Sequence, residues 1–443
     1  MADVTADGQF YDHLDNGIYM PSKHNMPHTL NIYYNGQVGG TSIDFNSDYV
    51  FSKDRGWQYN DEVSQEQQSR IVTSLNVTRN QLCATKLVLS WNLWGGNLQV
   101  GTEFDHTRRN DDYINPEQIV PTTYTEQREN NYILFAEYAH PLPFGQMMIG
   151  LRNENVTTDY YNQGVRIAEQ SRNYHHLFPS VGLMAQAGQV QLMANYSAKI
   201  KRPYYHELRS SVTYANRFTW ESGNPLLKPA IRHNASLMAM YRWVTVMLEY
   251  KHTDDIIVNV GKEVPGNESV SWLYRDNVDN EDAMQLVVTL APRFGLYQPS
   301  LTMGLIKEWM KITSPTGVIS PERPIYFVQF NNNFQLNPTL TASANFMFTS
   351  KGDQENVSLT RATSVLDLSL TKTFFGDCLS VKVGAANLLN SQEHVSLHYG
   401  KRSLYQQNRR DSRQLELTVR YKFNAAQSKY KGTGAGSDEK ARL

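Results

Sequence analysis

From His28 to Phe423 the chain alternates apolar and polar residues in segments of about ten, separated by turn-forming residues. The last segment is the clearest. Leu415, Leu417, Val419, Tyr421 and Phe423 share one face, while Gln414, Glu416, Thr418, Arg420 and Lys422 share the other. A period of two predicts a strand with two unlike faces. The same division separates Val244, Val246, Leu248 and Tyr250 from Thr245, Glu249 and Lys251. It recurs in Val190, Leu192, Ala194, Tyr196 and Ala198 against Gln191, Asn195, Ser197 and Lys199, and in Leu98, Val100, Thr102 and Phe104. Glu249, Lys251, Glu416 and Arg420 would be costly in hydrocarbon, so in a membrane the polar face must look into water and the apolar face toward lipid. A soluble sandwich would turn the apolar face inward, and periodicity alone does not separate the two.

The connections do. Short turns are expected at Gly36–Gly40, Trp94–Gly96, His140–Gly145, Ala187–Gln189, around Trp243, at Pro292–Gln298, Asn337–Thr339 and Phe375–Cys378. Between them lie long polar connections, roughly Asp54–Arg79, Arg108–Glu129, Thr157–His176, Lys201–Arg232, Asp254–Asp282, Met310–Pro324, Ser350–Thr363 and Leu389–Arg413. Ser271–Asp276 and His398–Gln406 read as hairpin extensions within these loops. A sandwich has no reason to sort its connections by end, whereas an outer-membrane barrel has short periplasmic turns and long extracellular loops. The expected fold is therefore all-β, an antiparallel transmembrane β-barrel. About seventeen strands are expected, from 28–35 and 41–53 to 379–388 and 414–423.

An odd count has a topological consequence. With the C-terminus periplasmic, residues 1–27 become an extracellular, loop-like segment, 28–423 the barrel, and 424–443 a flexible periplasmic tail. Bacterial single-chain barrels have even strand numbers, and the opening MADVTADGQF lacks the cationic start and apolar core of a secretory signal, so upstream strands are expected. Closure of strand 28–35 on strand 414–423 would make a parallel pair.

Composition changes this picture little. Formal net charge is −1, no stretch approaches the ~20 apolar residues of a membrane helix, and 26 Tyr, 17 Phe and 7 Trp suit interfacial girdles. Balanced charge argues against a nucleic-acid partner. Cys83 and Cys378 fall at opposite ends of the expected barrel, so neither a disulfide nor a metal site is expected from them.

At this point the residues carry a resemblance. Arg202-Pro203-Tyr204-Tyr205 with Leu208, then Gly223-Asn224-Pro225-Leu226-Leu227-Lys228-Pro229, resembles the R-P-x-Y-x-x-L … G-N-P-x-L-K-P signature of TonB-dependent receptor barrels. Ala386-Asn387-Leu388-Leu389-Asn390 is similar to their N-L-F-N/D strand end, with Leu389 for the usual Phe, and Val419–Phe423 is similar to their closing strand. The similarity runs from Ile32–Phe51 through the tail Ser428–Leu443 and points to the outer-membrane β-barrel branch. It implies a Gram-negative outer-membrane location and a 22-stranded barrel around an N-terminal plug. It also implies uptake of a scarce nutrient, with plug, first strands and TonB-contact motif supplied by the same or an adjacent gene product. TonB would then be reached only through that missing part. The alternative function is a plugless pore, adhesin or scaffold.

Other chemistry is weaker. Gly432-Thr433-Gly434-Ala435-Gly436 follows the final strand and precedes no expected helix, so it reads as flexible tail rather than a phosphate loop. His175-His176 lacks placeable metal partners, and Asp111-Asp112 and Asp254-Asp255 read as solvated loop acids. No cofactor and no enzymatic activity are expected, a barrel protease or phospholipase being the enzymatic alternative. Ligand contact, from an unidentified extracellular ligand, is expected in the Lys201–Arg232 connection. Its Arg202, Tyr204, Tyr205, His206, Arg209, Tyr214 and Trp220 can stack and hydrogen-bond, although a structural role for its Arg-Pro and Gly-Asn-Pro motifs is favoured.

Overall fold

The structure, a computed structural model, describes residues 2–6, 9–23, 26–314, 317–376, 378–399, 402–408, 412–423 and 432–443. Seventeen strands form one continuous antiparallel meander. In order they are His28–Val38 (β1), Thr41–Ser64 (β2), Arg70–Leu93 (β3), Gly96–Ile114 (β4), Thr123–Leu142 (β5), Gly145–Asn162 (β6), Arg172–Ala187 (β7) and Val190–Lys201 (β8). There follow Ala230–Tyr241 (β9), Val244–Val264 (β10), Asn267–Leu290 (β11), Tyr297–Met310 (β12), Ile325–Asn337 (β13), Leu340–Thr349 (β14), Thr363–Phe374 (β15), Leu379–Ala386 (β16) and Gln414–Tyr421 (β17). Each pairs with the next.

The register sorts the side chains by face. Between β4 and β5, Asp105 stands opposite Asn131 and Thr107 opposite Glu129, while Phe104 opposes Tyr132 and Thr102 opposes Leu134. The first set is buried, and Tyr132 and Leu134 are 55% and 58% exposed. Polar residues thus fill the inside and apolar ones cover the outside, the arrangement a lipid-embedded barrel requires. Leu151, Leu177, Leu183, Leu237 and Leu248 continue the apolar exterior. At the short-turn end, exposed Trp94, Phe144, Trp243, Phe294, Phe375 and Phe423 form an aromatic rim. Such a rim is what a headgroup interface selects.

The short turns expected from the sequence fall at one end, and several are built on left-handed residues. Trp94 (φ 50°) with Gly95 (φ 77°), and Phe375 (φ 55°) with Gly376 (φ 61°), are φ-positive pairs that let two antiparallel strands join tightly. The long-connection end corrects the sequence reading. Residues 54–64 and 70–79 are not loop but the continuation of β2 and β3, paired through Glu62 opposite Arg70, and β10 and β11 are likewise joined by only Pro265 and Gly266. At about 3.3 Å per residue a 24-residue strand is about 80 Å long, far beyond the ~30 Å hydrocarbon layer even when tilted. Polar composition was a poor sign of loop here because a strand leaving the bilayer is wetted on both faces.

Most of the described residues before His28 are also strand rather than loop. Gln9–Tyr19 pairs with the far end of β2, Leu14 opposite Ser64 and Tyr19 opposite Tyr59, and Ala2–Ala6 pairs with Gln9–Leu14. A separate four-stranded sheet at the long-connection end joins Gly352–Gln354, Val357–Leu359, Glu393–Tyr399 and Arg402–Asn408. His398–Gln406 is accordingly a hairpin, but one that belongs to this cap and not to a barrel strand. Among the described residues β1 and β17 each pair on one side only, so the expected parallel seam between them is not formed.

The sheet curls around the 202–229 connection. Thr219–Glu221 runs parallel to Ser271–Leu273 of β11, while Tyr214 and Arg217 from the same connection bond Glu62 of β2. Strands nine places apart are therefore bridged across the interior.

Candidate lumenal site

The site is assembled on the inward polar face of β2, β4, β5 and β6 by two segments distant in sequence, the 202–229 connection and residues 432–443. The second contradicts the expectation of a flexible tail. Residues 424–431 lie outside the described residues, but 432–443 are docked along the barrel wall, with Ser437–Arg442 as a short helix.

The docking climbs from the short-turn end. Thr433 Oγ1 donates to Asp44 at 2.9 Å, and the backbone N–H of Gly434 donates to Asn46 Oδ1 at 3.0 Å. Ala435 N–H donates to Asp48 Oδ2 at 2.7 Å, where Lys440 Nζ also arrives at 2.6 Å, and Gly436 N–H donates to Glu103 at 2.7 Å. Ala435 packs with Val50, Leu82 and Ala84. Gly436 has φ +63°, and a Cβ there would stand 2.6 Å from that of Ala84, so glycine is required twice over.

Above this layer the charges interlock. Glu439 accepts from Arg202 at 2.7 Å and from Asn131 at 3.1 Å, and Arg202 also donates to Glu154. Arg442 donates to both oxygens of Glu129, at 2.5 and 3.2 Å, and from Nε to the Pro203 carbonyl at 3.0 Å. Its guanidinium carbon lies 4.1 Å from the Tyr205 ring centre, and the Tyr205 hydroxyl donates to Glu129 at 2.9 Å. Burial pushes the Tyr205 phenol well above its ordinary value, so it stays protonated as a donor. Buried charges persist only when paired and hydrogen-bonded in this way.

The 202–229 connection is held by a second anchor at the long-connection end. Glu62 accepts from Tyr214 Oη at 2.6 Å, from Arg217 N–H at 2.9 Å and from Arg217 Nε at 3.0 Å. Asn224 fixes the Gly-Asn-Pro turn, its N–H donating to the Glu207 carbonyl at 2.6 Å and its Nδ2 to the Arg275 carbonyl at 3.1 Å. A Cβ on Gly223 would come within 2.4 Å of the Glu207 carbonyl oxygen.

The candidate ligand residues thus divide. Arg202, Tyr205 and Tyr214 are buried and engaged in the contacts above, and Trp220 packs against the Val72, Tyr113, Val120 and Tyr214 cluster. Tyr204 and His206 remain exposed and stack on each other at 5.5 Å between ring centres, with Arg209 half-buried beside them. The structural role favoured for the Arg-Pro and Gly-Asn-Pro motifs is what the contacts describe. The cavity beside Arg442, lined by Glu129, Arg172, Tyr174 and Leu208, is about 30 Å³, water-sized rather than nutrient-sized. Leu415, Leu417, Val419 and Tyr421 of β17 and Phe423 just beyond it all lie exposed, and the strand's only pairing among the described residues is with β16.

The remaining candidates are accounted for. His175 and His176 point to opposite faces of β7, His175 to Asn153 and His176 onto Phe178. Asp111 pairs with Arg109, Asp112 with Arg79, Asp254 with His252 and Asp255 with Lys228. Cys83 and Cys378 are free thiols. Sequence reasoning missed Glu62, Glu129, Glu154, Glu439 and Arg442. The only signal was a buried-face position for each acid and a cationic tail able to meet them.

The chain belongs to the outer membrane protein beta-barrel family, whose sequence profile matches residues 37–421. Its location is accordingly the outer membrane of a Gram-negative bacterium. Among solved structures it is similar in fold to the ferric-catecholate import receptor Fiu from E. coli K12, with TM-score 0.56 and 10% identity, covering 86% of this chain and 64% of that one. It is also similar to the copper transporter OprC, with TM-score 0.55, 13% identity, and 87% and 67% covered. BauA, the ferric preacinetobactin receptor from Acinetobacter baumannii, gives TM-score 0.59, 11% identity, and 92% and 63% covered. The chain thus spans less than two thirds of the length of Fiu and BauA. No curated protein matches it by sequence. The resemblance to TonB-dependent receptor barrels holds at the level of fold.

Proposed function

We propose that this chain is the barrel of a TonB-dependent importer, with its long connections facing the exterior and its short turns and C-terminal segment toward the periplasm. The observation that carries this reading is the opposed pair of faces, polar and buried within, apolar and exposed without, on strands whose aromatic rim lies at the short-turn end. The proteins of like fold are a ferric-catecholate import receptor, a ferric preacinetobactin receptor and a copper transporter. Uptake of a scarce nutrient, captured at the long-connection mouth where Tyr204 and His206 stay exposed, is the corresponding activity here. A plug, further strands and the TonB contact are assigned to polypeptide beyond these residues.

The test separates importer from passive pore. Liposomes carrying the complete natural polypeptide, in an arabinose gradient, should show no swelling above protein-free vesicles. Porin-like swelling would replace the importer reading with the plugless pore.

A further inference from the structure

We propose that the acidic groove along β2, β4 and β5 is a peptide-binding site, filled by this chain's own residues 432–443, and that the segment is a latch on the 202–229 connection. The proposal rests on the fold alone and stands whether or not the barrel imports.

Complementarity is the first argument. Asp44, Asp48, Glu103 and Glu129 line the groove from three strands, and the segment meets them with Thr433, two backbone N–H groups, Lys440 and Arg442. Where the groove offers a cation, Arg202, the segment offers its one buried acid, Glu439. Shifting the segment by one residue would set Ala441 or Leu443 where Arg442 meets Glu129, and Asp438 or Lys440 where Glu439 meets Arg202. Charge therefore selects both the sequence and its register. With the segment in place the Asp48 and Glu129 side chains are 2% and 3% exposed, each paired with a cation that the segment supplies.

Span is the second argument. One end of the segment touches Asp44, three residues from the short turn that starts β2, and the other grips Arg202, Pro203 and Tyr205 at the root of the long connection. Glu62 anchors that connection at its far end, with the pairing to 271–273, and Arg442 with Glu439 anchors it at its near end. Withdrawing the segment removes the Arg442 and Glu439 contacts together and leaves the near end held by Arg202 on Glu154 and Tyr205 on Glu129. Because coupling between two sites is reciprocal, whatever displaces Tyr205 from above must loosen the segment below.

Hydrogen exchange of the complete polypeptide in detergent micelles tests this. Deleting residues 432–443 should speed exchange at amides of 203–222 about tenfold or more and leave β5 amides 134–139 unchanged. A synthetic peptide of residues 432–443 added in trans should restore the protection, and the same peptide carrying Arg442→Glu and Glu439→Arg should not. If the deletion fails to fold, the double variant Arg442→Gln, Glu439→Gln in the intact chain should loosen 203–222 in the same way. Unchanged exchange at 203–222 would mean the segment is passively seated and would overturn the latch. Loosening that the peptide fails to reverse would overturn the groove as a peptide site.

Discussion

The two halves of the barrel carry the same alternation and end up differently. Along β2 to β6 the inward polar residues Asn46, Asp48, Asp105, Glu129, Asn131 and Glu154 are all buried, whereas along β14 to β17 the inward Thr341, Ser343, Thr371 and Arg420 are not. Both halves are amphipathic in the same sense, so burial is not set by the strand pattern. It is set by what fills the interior. The first half is filled by 202–229 and 432–443, and the second ends at β17, exposed along its whole length. A strand's periodicity says which face is polar, and only distant segments decide whether that face is wet or locked in ion pairs.

The largest effect should come from the filled half. Glu129→Ala strands Arg442 in the interior and should cost about 3–5 kcal/mol, read as a lower midpoint for loss of the heat-resistant folded band on unboiled gels. Glu416→Ala, its counterpart in the open half, should move that midpoint little. Equal losses would erase the contrast. On the outer face the halves should agree, since both meet lipid. Leu417→Arg should cost about 2–4 kcal/mol near the midplane, and Leu134→Arg a similar amount, whereas Arg420→Lys should be nearly neutral. A harmless Leu417→Arg in bilayers would show that β17 is not lipid-facing.

A smaller loss, about 1 kcal/mol, is expected for Gly436→Ala, from its φ of +63° and its closeness to Ala84. It should appear as faster exchange of amides 433–443 alone. Least of all, Tyr204→Ala and His206→Ala should shift stability by no more than about 0.5 kcal/mol, since both are exposed. If they nevertheless reduce uptake by the complete protein, they belong to the ligand mouth, and unaltered uptake would remove them from it.

The strand order was legible because membrane strands obey two local rules. Residues 414–423, read as a strand, are β17 to within two residues, since Leu415, Leu417 and Val419 against Glu416, Thr418 and Arg420 leave no other period. Residues 54–64 were not legible, because once both faces meet water the alternation that marks a strand has no apolar half. The same holds for Gln9–Tyr19, whose pairing to β2 depends on a register with no sequence signature. Of the site, Arg202 and Tyr205 were visible through their motif, but the Arg202 partners Glu154 and Glu439 lie 48 and 237 residues away, and the Tyr205 partner Glu129 lies 76 away. Gly432–Gly436 read as flexible tail because the reason for Gly436, its close approach to Ala84, exists only in the folded barrel.

The central claim is that the polar face looks inward and the apolar face meets lipid. Single cysteines placed in turn at 131–136 of β5, in a background with Cys83→Ser and Cys378→Ser, labelled with a bimane and reconstituted in bilayers, test it directly through quenching by a nitroxide lipid. The account predicts alternation, with strong quenching at Tyr132, Leu134 and Ala136 and little at Asn131, Ile133 and Phe135. Uniform quenching, or alternation in the opposite phase, would contradict it.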